Sequence, residues 1–151
     1  MFILKNILPG FSMLLVLSPL NVWAQSPIAD EIAVLPVVPS ELYVKDIDWL
    51  IEPVNIESGI YRSEDQKDII ISNGLIRRTI RVAPNAATVG LDNLMTGESV
   101  LRGVKPEARI VLDGQAFDVG GLEGQPNYAY ITREWIEDLT DDPAAFHTKR
   151  M

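Results

Sequence analysis

Asp68-Ile69-Ile70-Ile71-Ser72-Asn73-Gly74-Leu75-Ile76-Arg77-Arg78-Thr79-Ile80-Arg81-Val82 is the stretch whose reading decides the fold. Ile69 to Ser72 is a run rich in β-branched side chains, which fit a pleated strand better than a helix. Asn73-Gly74 follows, the dipeptide best suited to a tight type I′ reversal. The chain resumes from Leu75 to Val82 with a period of two. Ile76, Ile80 and Val82 share one face, and Arg77, Thr79 and Arg81 share the other. Arg78 breaks the alternation by falling on the apolar face, which places it near a sheet edge. The product is a hairpin with one apolar face.

Toward the C-terminus, Ala83-Pro84-Asn85 supplies a turn, and Ala87, Val89 and Leu91 alternate up to Asp92-Asn93. Met95-Thr96-Gly97 turns the chain into a strand over Ser99 to Arg102. Pro106 opens a run from Glu107 to Leu112, which Asp113-Gly114 joins to Gln115–Val119, a second hairpin signal. Six short strands with closely spaced reversals predict a mainly β chain, an antiparallel β-sandwich, and do not fit alternating βαβ units. The end changes character. Thr132 is placed as an N-cap, with Glu134 in the first turn and Trp135, Ile136 and Leu139 as an apolar stripe, so a short C-terminal helix is predicted. Asp142-Pro143 starts one more turn through Phe146. Residues 147–151 then read as a frayed or truncated end, and the sandwich of residues 59–146 as one lacking strands that should follow.

Toward the N-terminus, Gly59 and the polar run from Arg62 to Asp68 read as a loop. Residues 25–58 hold Pro27, Pro36, Pro39 and Pro53, and proline lacks the donor that helix and sheet interiors use. This segment is predicted as an extended lead-in, with Val34 to Val38 and Asp46 to Ile51 as short edge strands and Trp49 as an aromatic anchor. Residues 1–24 have the layout of a secretory signal peptide: Lys5 in a short basic region, an uncharged run from Ile7 to Leu20, and Val22 and Ala24 at the cleavage positions. The apolar run is shorter than the roughly 20 residues a bilayer span needs, so no stable membrane span is expected after cleavage. The chain is therefore expected to be secreted or periplasmic, and the absence of cysteine fits a bacterial exterior.

The formal net charge is −8, and losing Lys5 makes it more negative. That excludes DNA or RNA as an expected partner, since phosphates demand a basic surface. Few residues offer chemistry. His147 is the sole histidine, so neither a His–His metal pair nor a Ser-His-Asp site is expected. Glu137-Asp138 and Asp141-Asp142 form the densest carboxylate cluster, and paired carboxylates are what glycosidic cleavage uses; on a surface helix they read as a solvated face and a cap. Asp46 and Asp48 lack the glycine and distal glutamate of a calcium loop. Gly120-Gly121-Leu122-Glu123-Gly124-Gln125-Pro126 lacks the Gly-Lys-Ser/Thr of a phosphate loop and reads as backbone that approaches a neighbouring surface. Tyr128, Tyr130 and Trp135 can stack on sugar rings, yet such rings equally fill cores. Arg77, Arg81 and Arg109 are placed to pair with carboxylates across strands. No catalytic, cofactor-binding or metal-ligating residue is assigned, and no cofactor is expected.

Asn73-Gly74-Leu75-Ile76-Arg77-Arg78-Thr79, Pro84-Asn85-Ala86-Ala87-Thr88, Asp92 to Gly97, Arg102 to Ala108 and Val119 to Pro126 together form a wider pattern. As a whole, from about Ser72 to Phe146, it resembles the N-terminal β-sandwich of secreted bacterial α-galactosidase (melibiase-like) glycoside hydrolases. In that family the sandwich precedes a (β/α)₈ barrel that carries the two catalytic carboxylates. A barrel takes about 250 residues, and none follows here, so no catalytic residue carries over. The resemblance implies a carbohydrate-active parent enzyme, with carbohydrate or the missing catalytic domain as partner and this chain alone inactive. A free-standing exported module that binds glycan or protein is the competing expectation.

Overall fold

The computed structural model describes residues 27–40, 42, 48, 50–52 and 57–147. Helix α1 spans Pro27–Ala33, and strands β1 to β5 run over Gly59–Arg62, Asp68–Ser72, Ile76–Arg81, Ala87–Asn93 and Glu98–Ser99. These five form one antiparallel sheet in chain order. Strands β6 (Ala108–Leu112) and β7 (Gln115–Val119) form a separate hairpin, and helix α2 covers Arg133–Asp138. The mainly β, antiparallel class with a short C-terminal helix is as the sequence predicts.

The first reversal forms one residue later than Asn73-Gly74 implies. Ser72 pairs with Arg77, and the Asn73 N–H donates to the Ile76 carbonyl at 3.2 Å. Gly74 and Leu75 are therefore the turn residues, with positive φ at Gly74 (78°) and not at Asn73. Glycine leading a two-residue turn is the type II′ arrangement. Asn73 is drawn into the closing pair because its Oδ1 accepts from the N–H groups of Leu75 (3.0 Å) and Ile76 (2.8 Å). The second reversal is as expected: Asp113 (φ 51°) and Gly114 (φ 81°) make the type I′ turn between β6 and β7.

Three further differences follow from local bonding. β1 occupies Gly59–Arg62, where a loop is predicted, because it completes a ladder with β2 from Gly59↔Ser72 to Arg62↔Ile69. β5 stops at Ser99 instead of reaching Arg102, since only Asp92 and Asn93 pair with it. The lead-in holds α1, for which Pro27 supplies a favourable first helical residue. The edge strand expected over Val34 to Val38 reduces to one parallel bridge, Val37↔Arg62, flanked by bonds from Arg62 N to Pro36 O and Val38 N to Arg62 O. Of the strand expected over Asp46 to Ile51, the described residues form a turn on Asp48, whose Oδ1 accepts from Leu50 N. Trp49, residues 1–24 and residues 148–151 lie outside the described residues.

The faces of the main sheet invert the expected assignment. Arg77, Thr79 and Arg81 share their side with Asp68, Ile70 and Ser72. Ala87 and Val89 share that side, and a bulge at the Thr79/Ile80 step brings Gly90 and Asp92 to it as well. There the core assembles: Ala87, Val89, Val104, Leu122 and Leu139, with Ile131 and Ile136 packed against them. The opposite face carries Ile60, Ile69, Ile71, Ile76 and Ile80, of which Ile60, Ile71 and Ile76 stay exposed. Arg78 lies on that open face in the middle strand of five, not near an edge.

Candidate functional site: an open isoleucine face and a polar basin

Two surfaces are candidates, one on each side of the five-stranded sheet. On the open side, Ile60, Ile71 and Ile76 expose 53%, 40% and 51% of their surface. Ile60 is paired with Ile71, and Ile69 with Ile80, so the isoleucines form a contiguous patch across three strands. Single exposed apolar residues need no explanation, but a contiguous apolar patch marks an interaction surface. Arg78 lies within it and is tethered: its guanidinium donates to Thr88 Oγ1 and to Glu107. Glu107 also accepts from the Thr88 N–H, which anchors the base of the β6–β7 hairpin beside this face.

On the core side, sheet, loop and helix enclose a basin of about 630 Å³. Its floor is Arg77, Thr79, Arg81, Gly90 and Asp92; its walls are Val38 to Ser40, the Ser63 to Asp65 loop, and the start of α2. Gly90 deepens the floor, because a Cβ there would meet Thr79 at 3.2 Å. Arg81 is only 7% exposed. Its Nε donates to Asp68 Oδ1 at 2.6 Å and its Nη2 to Glu137 Oε1 at 3.0 Å. Burial pulls the Arg81 pKa down, but the bonds to Asp68 and Glu137 outweigh it and raise the pKa overall. Arg77 grips Asp92 through Nε (3.0 Å) and Nη2 (2.8 Å).

The candidate carboxylates of the helix are thereby given structural roles. Glu137 accepts from Lys67 Nζ at 2.5 Å as well as from Arg81, and the Lys67 bond, then the Arg81 bond, hold its carboxyl below the usual range. A general acid in glycoside cleavage needs the opposite shift. Asp142 Oδ1 accepts from Ala144 N, and Asp141 Oδ2 lies 2.6 Å from His147 Nε2 near the surface. Among the described residues no group of three or more His, Asp or Glu side chains could hold a metal ion. No described helix is long and apolar enough to cross a membrane.

Thr132 caps α2 as predicted, its Oγ1 accepting from Trp135 N at 3.5 Å. The three predicted cross-strand arginine pairs all form, the third as Arg109–Asp118 at 2.6 Å. The glycine loop makes the expected close approach. A Cβ at Gly120 would meet the Ala86 carbonyl oxygen at 2.3 Å, and Gly121 N donates to that same oxygen. Tyr130 stacks on Trp135 with centroids 5.0 Å apart, and Lys105 Nζ sits 3.9 Å over the Tyr128 ring, while both tyrosines stay half-exposed.

Gln125 is the residue that sequence reasoning missed. Buried behind the glycine loop, its Oε1 accepts from Val104 N, and its Nε2 donates to the carbonyls of Arg102, Asn127 and Tyr130. Its only sequence signal is a polar residue inside a glycine-rich run.

No family model matches the chain, and no curated protein or solved structure matches it either.

Proposed function

We propose that this chain is the non-catalytic N-terminal module of an exported α-galactosidase-like glycoside hydrolase, and that it seats the catalytic barrel on its isoleucine face. The observation that carries the reading is that face itself. Ile60, Ile71 and Ile76 stay about half-exposed on one face of the sheet, where a β-sandwich or an interdomain contact places its apolar side. The likeness of Ser72 to Phe146 to the melibiase-like N-terminal region supplies the parent enzyme. The engaged carboxylates fit a module that leaves chemistry to its partner. Export follows from the signal-peptide layout of residues 1–24.

The test has two parts. Aryl α-galactosides should not turn over with the purified chain, and hydrolysis by the chain alone would end the division of labour. The native reading frame should also supply a barrel-sized partner whose activity or stability drops when Ile71→Asp and Ile76→Asp are introduced together. Indifference of the assembled enzyme to that pair would refute the docking role of the face.

The polar basin favours a second reading, a free-standing glycan- or protein-binding module. Thr79 offers a hydroxyl beside the paired Arg77 and Asp92. Glycan binding by the isolated chain that falls with Asp92→Asn would move the assignment to this reading.

A further inference from the structure

The β6–β7 hairpin stands apart from the main sheet, and a lone two-stranded hairpin is marginally stable in water. The outer edge of β7 is partly capped, because Phe146 N donates to Asp118 O and Gly120 N to Phe146 O. The outer edge of β6 has no backbone partner among the described residues. Leu112 and Gln115 close the two-residue turn and exchange both backbone bonds. Antiparallel pairs alternate, so Ile110 bonds Phe117, and the N–H and C=O groups of Arg109 and Val111 point away from β7. Native edges are commonly blunted by charged side chains, bulges or proline. β6 holds no proline, and its one charge, Arg109, is paired with Asp118 of the same hairpin.

We propose that the outer edge of β6 pairs antiparallel with β6 of a second copy of this chain, with Ile110 on the two-fold axis. In that register Arg109 lies opposite Val111 of the other copy, and the two residues exchange both bonds. Symmetry doubles this, so all four outward groups of each strand edge are satisfied. Sliding the strands by two residues, which places Arg109 opposite Arg109, would set like charges against each other, which is unfavourable. The central register also joins Ile110, Leu112 and Phe117 of both copies into one apolar face across four strands. Ala108, Ile110 and Leu112 share that side, with Phe117 and Val119 opposite Ile110 and Ala108. The patch is self-complementary, as a two-fold interface requires. Five residues of strand bury less than the roughly 1,200 Å² of a stable interface, so the association is concentration-dependent. The inference does not rest on the carbohydrate-enzyme reading, and it uses a different surface.

Sedimentation of the exported, purified chain from about 10 μM to about 1 mM, the range of weak complexes, should follow a monomer–dimer equilibrium. Val111 is 65% exposed, so its substitution leaves the monomer fold intact, checked by the melting midpoint. Val111→Asp sets a carboxylate opposite Arg109 of the other copy and should tighten the dimer. Val111→Lys should loosen it. Each shift is about two- to thirtyfold, from two symmetric cross-strand pairs of 0.2–1 kcal/mol each. Val111→Pro removes an outward donor and should abolish dimerisation. A monomer across the whole range overturns the proposal, as does a dimer whose strength responds to Asp and Lys alike. So does a dimer dispersed by Ile71→Asp with Ile76→Asp but not by Val111→Pro, which would place self-association on the isoleucine face.

Discussion

Replacing Arg81 with methionine tests whether the ion cluster under the sheet is a load on the fold or a decoration. The side chain is 7% exposed and bonded to Asp68 and Glu137. Removing one partner of a buried pair costs about 3–5 kcal/mol, because the other charge is left stranded. Asp68 is not sealed, however: its side chain keeps 15% exposure and lines the basin, through which water can reach it. Glu137 is exposed and simply returns to solvent. The expected loss is therefore at or below the bottom of that range, about 2–3 kcal/mol, which for a domain of this size lowers the melting midpoint by about 10–15 °C. The assay is thermal unfolding followed by circular dichroism. Arg109→Met is the control, since its guanidinium is 69% exposed and its pair is a surface one. Adding Asp68→Asn to Arg81→Met should recover part of the loss by removing the stranded charge. Equal midpoints for the two arginine variants, or no recovery in the double variant, would refute the reasoning.

Acidification should unfold the protein with a defined sign. Glu137 is held down by Lys67 first, Asp65 by the Ser63 hydroxyl and Asp118 by Arg109. Each depressed group contributes stability above the ordinary carboxylate pKa of about 4, lost as pH falls through its lower folded value, so the midpoint should be flat near neutrality and drop below about pH 4. Gly120→Ala should destabilise far more than Gly124→Ala. Both positions have positive φ (64° and 97°), costing about 1–2 kcal/mol. Only Gly120 also drives a Cβ into the Ala86 carbonyl, so equal midpoints in a denaturant titration would contradict the close approach. Val104→Ala, in the core at 2% exposure, should cost about 2 kcal/mol. Ile76→Thr on the open face should change stability by less than about 0.5 kcal/mol, and a loss matching that of Val104→Ala would mean the face is covered.

The parts of the fold legible from sequence are those decided within a few residues. Asp113-Gly114 dictates its turn because both positions need positive φ and both residues tolerate it. Thr132 dictates the start of α2 because its hydroxyl reaches the Trp135 N–H. Asn73-Gly74 shows the limit of such reasoning: the side chain of Asn73 competes for the backbone donors beyond the turn and shifts it by one residue. β1 was hidden because its pairing partner, not its own composition, makes it a strand. Gln125 was hidden because its partners span Arg102 to Tyr130, and no local pattern announces a buried amide that satisfies four backbone groups.

The inverted sheet has the same origin. A period of two states that the faces of β3 differ, but not which one the rest of the chain covers. Arg81 is drawn inward by Asp68 across the ladder and by Glu137, 56 positions away on α2, and the small core of Ala87, Val89, Val104, Leu122 and Leu139 assembles beside them. Ile60, Ile71 and Ile76 then face out. Fully burying one isoleucine is worth about 1.5–3 kcal/mol, so covering Ile60, Ile71 and Ile76, each already about half-buried, is worth about 1 kcal/mol apiece. A partner that covers the open side would therefore add about 3 kcal/mol to a sheet that turns its ion pairs inward and Ile60, Ile71 and Ile76 outward.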